Sequence, residues 1–287
     1  MSQTIFITYH TEGAPFDKGM DLTSAASALL NAARESCDEA RAYTPREIAS
    51  WGTEWAKAVA DYREWVDSHP DSKHLKRRNP TWEKTGLFMW KPLLLHRILI
   101  HDLEEGDVLI FHDSNTEKYP QYLEGAAHWN LLAHELLNKV NADVFIPFGM
   151  HMRFDVKAQL LRKYLGDDAG SIRGLWVGII VIRKSKKSEK FLSEWVELCS
   201  DVENLAPVPN HQPHPEFYWH SPEQAVAGVL AEMWRQKGLL PKGWPRVRLQ
   251  NRRFVREAVK PLPVRLPFAR LVFFVYRLFQ KLGLKPK

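Results

Sequence analysis

Asp113 stands where an acid can do chemistry. It closes the run Asp107–Phe111 (DVLIF) and His112, a stretch too apolar to be anything but a central strand. In open α/β sheets ligands bind beyond the carboxyl ends of the strands. An acid placed there, with Ser114 and Asn115 after it, offers oxygens to a hard divalent cation, which can neutralise phosphates. The same Asp-Ser-Asn triplet is also good turn chemistry, and the spacing alone leaves both readings open.

A second group lies at His220-Ser221-Pro222-Glu223-Gln224. Ser221, Pro222 and Gln224 form an N-cap, a first-turn proline and a capping-box partner, so a helix is expected from about Pro222 to Lys237. Capping accounts for Ser221 and Gln224. It leaves His220 unexplained, and it does not require Glu223, although the helix dipole favours an acid there. Trp90-Lys91-Pro92 is a third group: Trp90 can stack on a ring or fill the core, and Lys91 can meet an anion or extend into solvent before its proline. His211-x-x-His214, in a Pro-rich loop with no cysteine nearby, is poor evidence for zinc. No Gly-x-Gly-x-x-Gly, P-loop or Gly-x-Ser-x-Gly occurs, which removes the commonest dinucleotide, kinase-like and hydrolase readings.

These residues need a scaffold, and the pattern supplies one. Residues 4–9 (TIFITY) read as a buried strand, followed by a helix with Leu22, Ala25, Leu29 and Ala32 on one face. Thr44, Pro45 and Glu47 open a further helix, in which Ile48, Trp51, Trp55, Val59, Tyr62 and Val66 recur at helical spacing. Residues 67–83 are polar and read as a surface loop. Pro92 begins a helix carrying Leu94, Leu95, Ile98 and Leu99. A helix over 126–140, a strand at 143–148 (DVFIPF), a strand in 175–185 (LWVGIIVIRKS) and a helix at 189–199 complete the alternation. Strands alternating with helices predict an α/β layer fold with a mostly parallel central sheet flanked by helices. The 287 residues, 45% hydrophobic and 26% charged, are ample for a packed core and exclude global disorder. Two cysteines, Cys37 and Cys199, make neither a disulfide framework nor a four-thiolate zinc site, so a reducing compartment is expected. The opening MSQTIFITYH does not have the pattern of a secretory signal.

The net charge of +6 is unevenly distributed. Residues 242–287 hold 13 Lys plus Arg and one acid, a charge of +12; the other 241 residues hold 27 bases and 33 acids, a charge of −6. We therefore divide the chain into a mildly acidic domain, 1–240, and a basic tail, 241–287. Between Arg270 and Arg277 lie six apolar residues, far short of the roughly 20 needed to span a bilayer. On a helix, Arg270, Arg277 and Lys281 fall within about 40° of one another, and Phe, Leu, Val and Tyr cover the rest. That is the pattern of a basic amphipathic helix lying on an anionic membrane surface; docking on the domain is the alternative. A nucleic-acid partner for the tail would show as steep salt dependence and is not expected.

The run Gly86–Asn115 resembles bacterial and viral sugar transferases of surface polysaccharide biosynthesis. The matching parts are Gly86, Trp90-Lys91-Pro92, Gly106-Asp107 and Asp113, followed in order by Lys157, Gly178, the Trp195 helix and His220-x-x-Glu223-Gln224. The similarity covers about residues 4–240. It implies a GT-A-type glycosyltransferase: a Rossmann-like sheet that binds a nucleotide-sugar donor, UDP-linked by weak preference, with Mn²⁺ or Mg²⁺. Asp113 and Asn115 would be the metal ligands. Asn115 replaces the second acid of the usual Asp-x-Asp triplet, which lowers the expected metal affinity or makes the metal dispensable. Lys91 and Lys157 would neutralise the diphosphate leaving group, and Trp90, His220 and Gln224 would contact the donor. Glu223 and Asp113 would be the catalytic acids, with Glu223 as base toward the acceptor or as donor ligand. The acceptor would be a surface polysaccharide or lipid-linked glycan at the cytoplasmic face of the membrane. The missing second acid also keeps open a non-catalytic, membrane-associated scaffold on a degenerate transferase fold.

Overall fold

The computed structural model describes residues 2–10, 22–68, 88–114, 128–206, 217, 220–241, 244, 247–250 and 253–256, with a few side chains inside those spans left undescribed. In chain order the elements are β1 (Thr4–Tyr9), α1 (Leu22–Ala33), β2 (Glu39–Tyr43), α2 (Pro45–Ser50), α3 (Thr53–Ser68), α4 (Trp90–His101), β3 (Val108–Asp113), α5 (Trp129–Val140), β4 (Val144–Phe145), β5 (Phe148–His151), α6 (Met152–Asp155) and α7 (Ala158–Tyr164). A 3₁₀ turn at Asp167–Ser171 leads to β6 (Arg173–Leu175), β7 (Ile179–Arg183), α8 (Lys186–Ser200), α9 (Val202–Leu205), α10 (Pro222–Gln236), β8 (Val247–Gln250) and β9 (Arg253–Arg256).

The main sheet has five strands in the order β2-β1-β3-β7-β4. β1 pairs parallel with β2 and β3, and Tyr9 stands opposite both Tyr43 and Asp113. Every residue of β1 is buried, as are the first five of β3, because helices cover both faces of the sheet. Side chains alternate between those faces. Thr4, Phe6 and His112 meet α5, through Thr4 to Asn130 and the His112–Trp129 ring contact. Tyr9 and Phe111 meet Trp90 of α4 on the other face. Asp113 lies two residues beyond Phe111 and so shares the α4 face.

The sheet is mixed, and this corrects the expectation of a mostly parallel one. β7 runs antiparallel to both β3 and β4. The stretch 175–185 divides at Trp176–Gly178: β6 pairs with β5 in a separate two-stranded sheet, and β7 then enters between β3 and β4. The chain arrives at β7 from the carboxyl end of β3, where the Gly178 carbonyl accepts from the Asp113 N–H at 2.9 Å. Running parallel to β3 would require a crossover over the whole sheet, and no residues are left for one. Residues 143–148 likewise hold the two-residue β4 and only the start of β5.

Other departures are local. The helix opened by Thr44 stops at Trp51 and restarts at Thr53, since Gly52 sits at φ +124. The Thr44 N–H donates to the Glu47 carboxylate at 2.8 Å, as the capping box predicts, and the Thr44 hydroxyl donates to the same oxygen at 3.0 Å. β2 was not foreseen, because EARAY carries two charges on an edge strand. Asp107 binds the N–H groups of Gln3 and Glu104 at 2.7 and 2.8 Å, fixing the starts of β1 and β3. Its neighbour Gly106, at φ +92, makes the turn into β3. Among the described residues no helix is long and apolar enough to cross a membrane. The tail helix proposed for residues beyond 256, and Gly86, lie outside the described residues.

Candidate functional site

Three of the residues singled out in the sequence meet at one point. The Lys91 Nζ lies 3.1 Å from Asp113 Oδ1 and 3.3 Å from Glu223 Oε1, and it donates to the Val177 carbonyl at 3.2 Å. Three acceptors thus satisfy the three N–H donors of the ammonium. Its floor is aromatic: Nζ sits 5.1 Å from the Phe111 ring and 5.5 Å from the Trp90 ring. Lys91 is not the extended, solvent-facing residue that its proline suggests. α4 begins at Trp90, so Lys91 lies in its first turn and its side chain is only 4% exposed. The chain enters that turn through Phe88 at φ 66, a conformation costly for a bulky side chain unless its surroundings hold it.

Each partner comes from a different element. Asp113 ends β3, and the period-2 alternation aims it at α4. Its side chain is 31% exposed, against 4% for Lys91 and 8% for Glu223, so it is the most open of the three. Glu223 occupies the first turn of α10, and its backbone carbonyl accepts from Trp195 Nε1 at 3.1 Å. Burial pushes the Glu223 carboxyl up, with Asp113 adding to the rise and Lys91 partly opposing it. Burial alone would lower the Lys91 ammonium, but Asp113 and Glu223 together hold it above the ordinary lysine range. The cluster carries −1 when all three groups are charged. Its chemistry is that of a fixed cation, an accessible carboxylate, and a buried carboxyl that holds its proton more tightly than usual.

Gln224 does not point to an open donor site. Its Oε1 accepts from the Val177 N–H at 3.3 Å and its Nε2 donates to Asp155 Oδ2 at 3.0 Å. Lys157 is 1% exposed and lies apart from the cluster, donating to the Glu203 carbonyl and, at 2.6 Å, to the Ala206 carbonyl. Burial pulls its ammonium down to about 8. His220 Nδ1 accepts from the Lys157 N–H at 3.3 Å, so its proton sits on Nε2, which donates to the Asn204 carbonyl at 3.0 Å. The phosphate-facing roles expected for Lys157 and His220 are thereby corrected: buried and bonded to backbone, they tie α9 to the start of α10. Trp90 stacks on Tyr9 with centroids 3.7 Å apart and planes 17° apart; Trp90 Nε1 and the Tyr9 hydroxyl are buried without hydrogen-bond partners among the described residues. His112 is held neutral by burial, its pKa lowered to about 4, and faces α5 on the opposite side of the sheet.

Two residues of this region escaped the sequence reading. Asp155 is 2% exposed, and burial pushes its carboxyl up to about 7. The only hint was an acid flanked by Phe154 and Val156. Val177 contributes only backbone groups, so no side-chain pattern could reveal it. Asn115, His211 and His214 lie outside the described residues. For a divalent cation, the described part of the site offers one accessible carboxylate, already paired with Lys91, and no group of three or more His, Cys, Asp or Glu residues able to hold a metal occurs among the described residues. That donor set falls short of the six or so oxygens a hard cation takes.

The fold and cluster define an α/β protein with a cation-bridged pair of carboxylates at the carboxyl rim of a mixed five-stranded sheet. Comparison with protein-family models, curated proteins and solved structures finds no match for this chain.

Proposed function

We propose that this protein is a nucleotide-sugar-dependent glycosyltransferase of the GT-A type, with UDP-linked donors favoured, acting on a surface polysaccharide or lipid-linked glycan. The observation that carries the reading is the convergence of Lys91, Asp113 and Glu223, from three separate elements, at the carboxyl end of the central strand. The reaction would join the acceptor oxygen to the anomeric carbon. The bond from that carbon to the diphosphate would break, and its electron pair would leave on the nucleoside diphosphate. The acceptor proton would pass to Glu223, whose carboxyl burial pushes up, so that it takes a proton more readily than an exposed glutamate does. Asp113 would hold the donor at the open edge of the site. Lys91 would hold Asp113 in place and set positive charge beside the leaving group. The basic tail would hold the enzyme on the cytoplasmic face of the membrane, where lipid-linked acceptors are found.

Calorimetry with UDP, GDP, CDP and ADP, with and without Mn²⁺, on wild type and Asp113→Ala tests the proposal. Selective binding of one nucleotide, weakened at least tenfold in the variant, is the expected result. Equal binding and transfer by both proteins would remove Asp113 from the site.

A second reading has its own observation. Lys91 is already satisfied by Asp113, Glu223 and Val177, as a purely structural ion cluster would be. On that reading the protein is a membrane-associated scaffold on a degenerate transferase fold. It would bind no nucleotide, and its partner binding would be unchanged by Asp113→Ala.

A further inference from the structure

We propose that Asp155 is a positioning residue that sets both the Lys91 ammonium and the Glu223 carboxylate, acting through Gln224 and the Val177 peptide. Asp155 is the last residue of the short helix α6 and acts on the three cluster groups at one remove. Its two acceptors grip the start of α10 from both sides of Glu223. The Asp155 backbone carbonyl accepts from the Ser221 N–H at 3.0 Å, and its carboxylate Oδ2 accepts from Gln224 Nε2 at 3.0 Å. Glu223 lies between those two anchors, so its place follows from theirs.

The same carboxylate reaches Lys91 in two further steps. With its Nε2 held by Asp155, the Gln224 amide turns Oε1 toward the Val177 N–H, 3.3 Å away. The Val177 carbonyl then takes one of the three Lys91 N–H groups at 3.2 Å. The next peptide is held as well, since the Gly178 carbonyl accepts from the Asp113 N–H at 2.9 Å. Segment 177–178 thus joins Lys91, Asp113 and Gln224 through backbone atoms alone.

Close packing keeps this chain of bonds from slackening. On α10, a side-chain carbon at Gly228 would lie 3.6 Å from the Gly174 Cα; one at Gly174 would lie 3.1 Å from the Met150 carbonyl and 3.7 Å from Asp155 Oδ1. The helix therefore sits directly against β6, and neither can shift without moving the other. Asp155 Oδ1 is buried and has no hydrogen-bond partner among the described residues. An unpartnered buried oxygen is costly, so an apolar residue would pack better here if packing were the only requirement. Only Oδ2 is needed for the bond to Gln224, and an amide can supply that acceptor equally well.

What the cluster does chemically rests on the transferase reading, but its placement can be measured without it. The test is trace acetylation of the full-length protein with acetic anhydride, read by peptide mass spectrometry. Lys91 labelling is normalised to Lys190, whose side chain is 62% exposed. Wild type, Asp155→Asn, Asp155→Leu and Gln224→Leu are compared, each first shown to be folded by circular dichroism. A hydrogen bond to a charged group governs about an order of magnitude or more in equilibrium. Lys91 labelling should therefore rise roughly tenfold in Asp155→Leu and Gln224→Leu. Asp155→Asn, which retains the acceptor, should stay within about twofold of wild type. Unchanged Lys91 labelling in folded Gln224→Leu overturns the proposal, and so does loosening in Asp155→Asn equal to that in Asp155→Leu. If Asp155→Leu does not fold, Gln224→Leu, at a partly buried position, decides alone. Nucleotide calorimetry on the same samples keeps the two ideas apart: a wild type that binds no nucleotide ends the transferase reading, while the labelling pattern still decides the role of Asp155.

Discussion

Replacing Lys91 with methionine keeps the length of the side chain and removes its charge. At separations of 3.1 and 3.3 Å, each carboxylate attracts the ammonium by about 5 kcal/mol at an effective dielectric of about 20. Most of that offsets the cost of taking the charges out of water. Removing one partner, however, leaves the others uncompensated, and buried pairs broken in this way typically lose about 3–5 kcal/mol. Asp113 is partly exposed and softens the loss, so we expect about 3 kcal/mol at pH 8. The pH dependence is the sharper test. Burial and Asp113 raise the Glu223 carboxyl in the folded protein, and Lys91 opposes that rise. Without Lys91 the folded-state pKa climbs further, so the folded variant takes up a proton that the unfolded chain releases at a lower pH. A raised folded pKa means that stability falls as pH increases from the unfolded value toward the folded one. The defect of Lys91→Met should therefore shrink on acidification toward pH 5. Urea unfolding at pH 5 and pH 8 at fixed ionic strength measures it. Adding Glu223→Gln should restore part of the loss at pH 8, because no buried charge then lacks its partner. A loss under about 1 kcal/mol at both pH values, or one larger at pH 5, would refute the reasoning.

Three further outcomes follow from the same structure. Asp155→Asn should flatten the stability profile between about pH 4 and pH 7: the wild-type carboxyl is raised from 3.8 to about 7 on folding, so its contribution is present at low pH and lost as pH rises, by a few kcal/mol at most. Chemical denaturation across that range reads it, and an unchanged slope would contradict the assignment. Asp107→Ala removes the acceptor shared by the Gln3 and Glu104 N–H groups and should cost about 2–3 kcal/mol without altering nucleotide binding, checked by unfolding and calorimetry together. Deletion of residues after about 260 should abolish pelleting with anionic liposomes while leaving the melting temperature of the remaining domain unchanged; retained pelleting would separate the tail from the membrane.

Much of the scaffold was legible because it is locally encoded. β1 and β3 declare themselves by unbroken apolar runs, and both are buried. The Thr44-Pro45-Glu47 cap forms where the residue types place it, and α10 starts at Pro222 as expected. The capping box expected of Ser221 and Gln224 does not form: the Ser221 side chain makes no cap bond, and the Gln224 side chain bonds Val177 and Asp155 instead. β2 was hidden, since an edge strand of charged residues has no apolar run to betray it. The direction of β7 was hidden for another reason: Ile179–Arg183 is equally apolar in either orientation, and only the arrival of the chain at the carboxyl end of β3 selects antiparallel.

The candidate site divides along the same line. Asp113 at a strand end and Glu223 in a first helical turn could be read from the chain, because each position depends on its immediate neighbours. That Lys91 joins them could not, since the two acids and the lysine meet only after the sheet has formed and α10 has packed against β6. Lys157 and His220 show the converse. Their types suited phosphate, yet both are buried against the backbone carbonyls of Glu203, Asn204 and Ala206. Asp155 and the Val177 peptide, which hold the cluster in place, left almost no trace in the sequence, because backbone groups and burial carry no residue signature of their own. The sequence by itself determined most of the strands and helices, β2 and the division of 175–185 excepted, and which ends carry acids, through hydrophobic periodicity and capping. Only the tertiary structure decided which charges are buried together, because burial and pairing depend on elements that are distant along the chain.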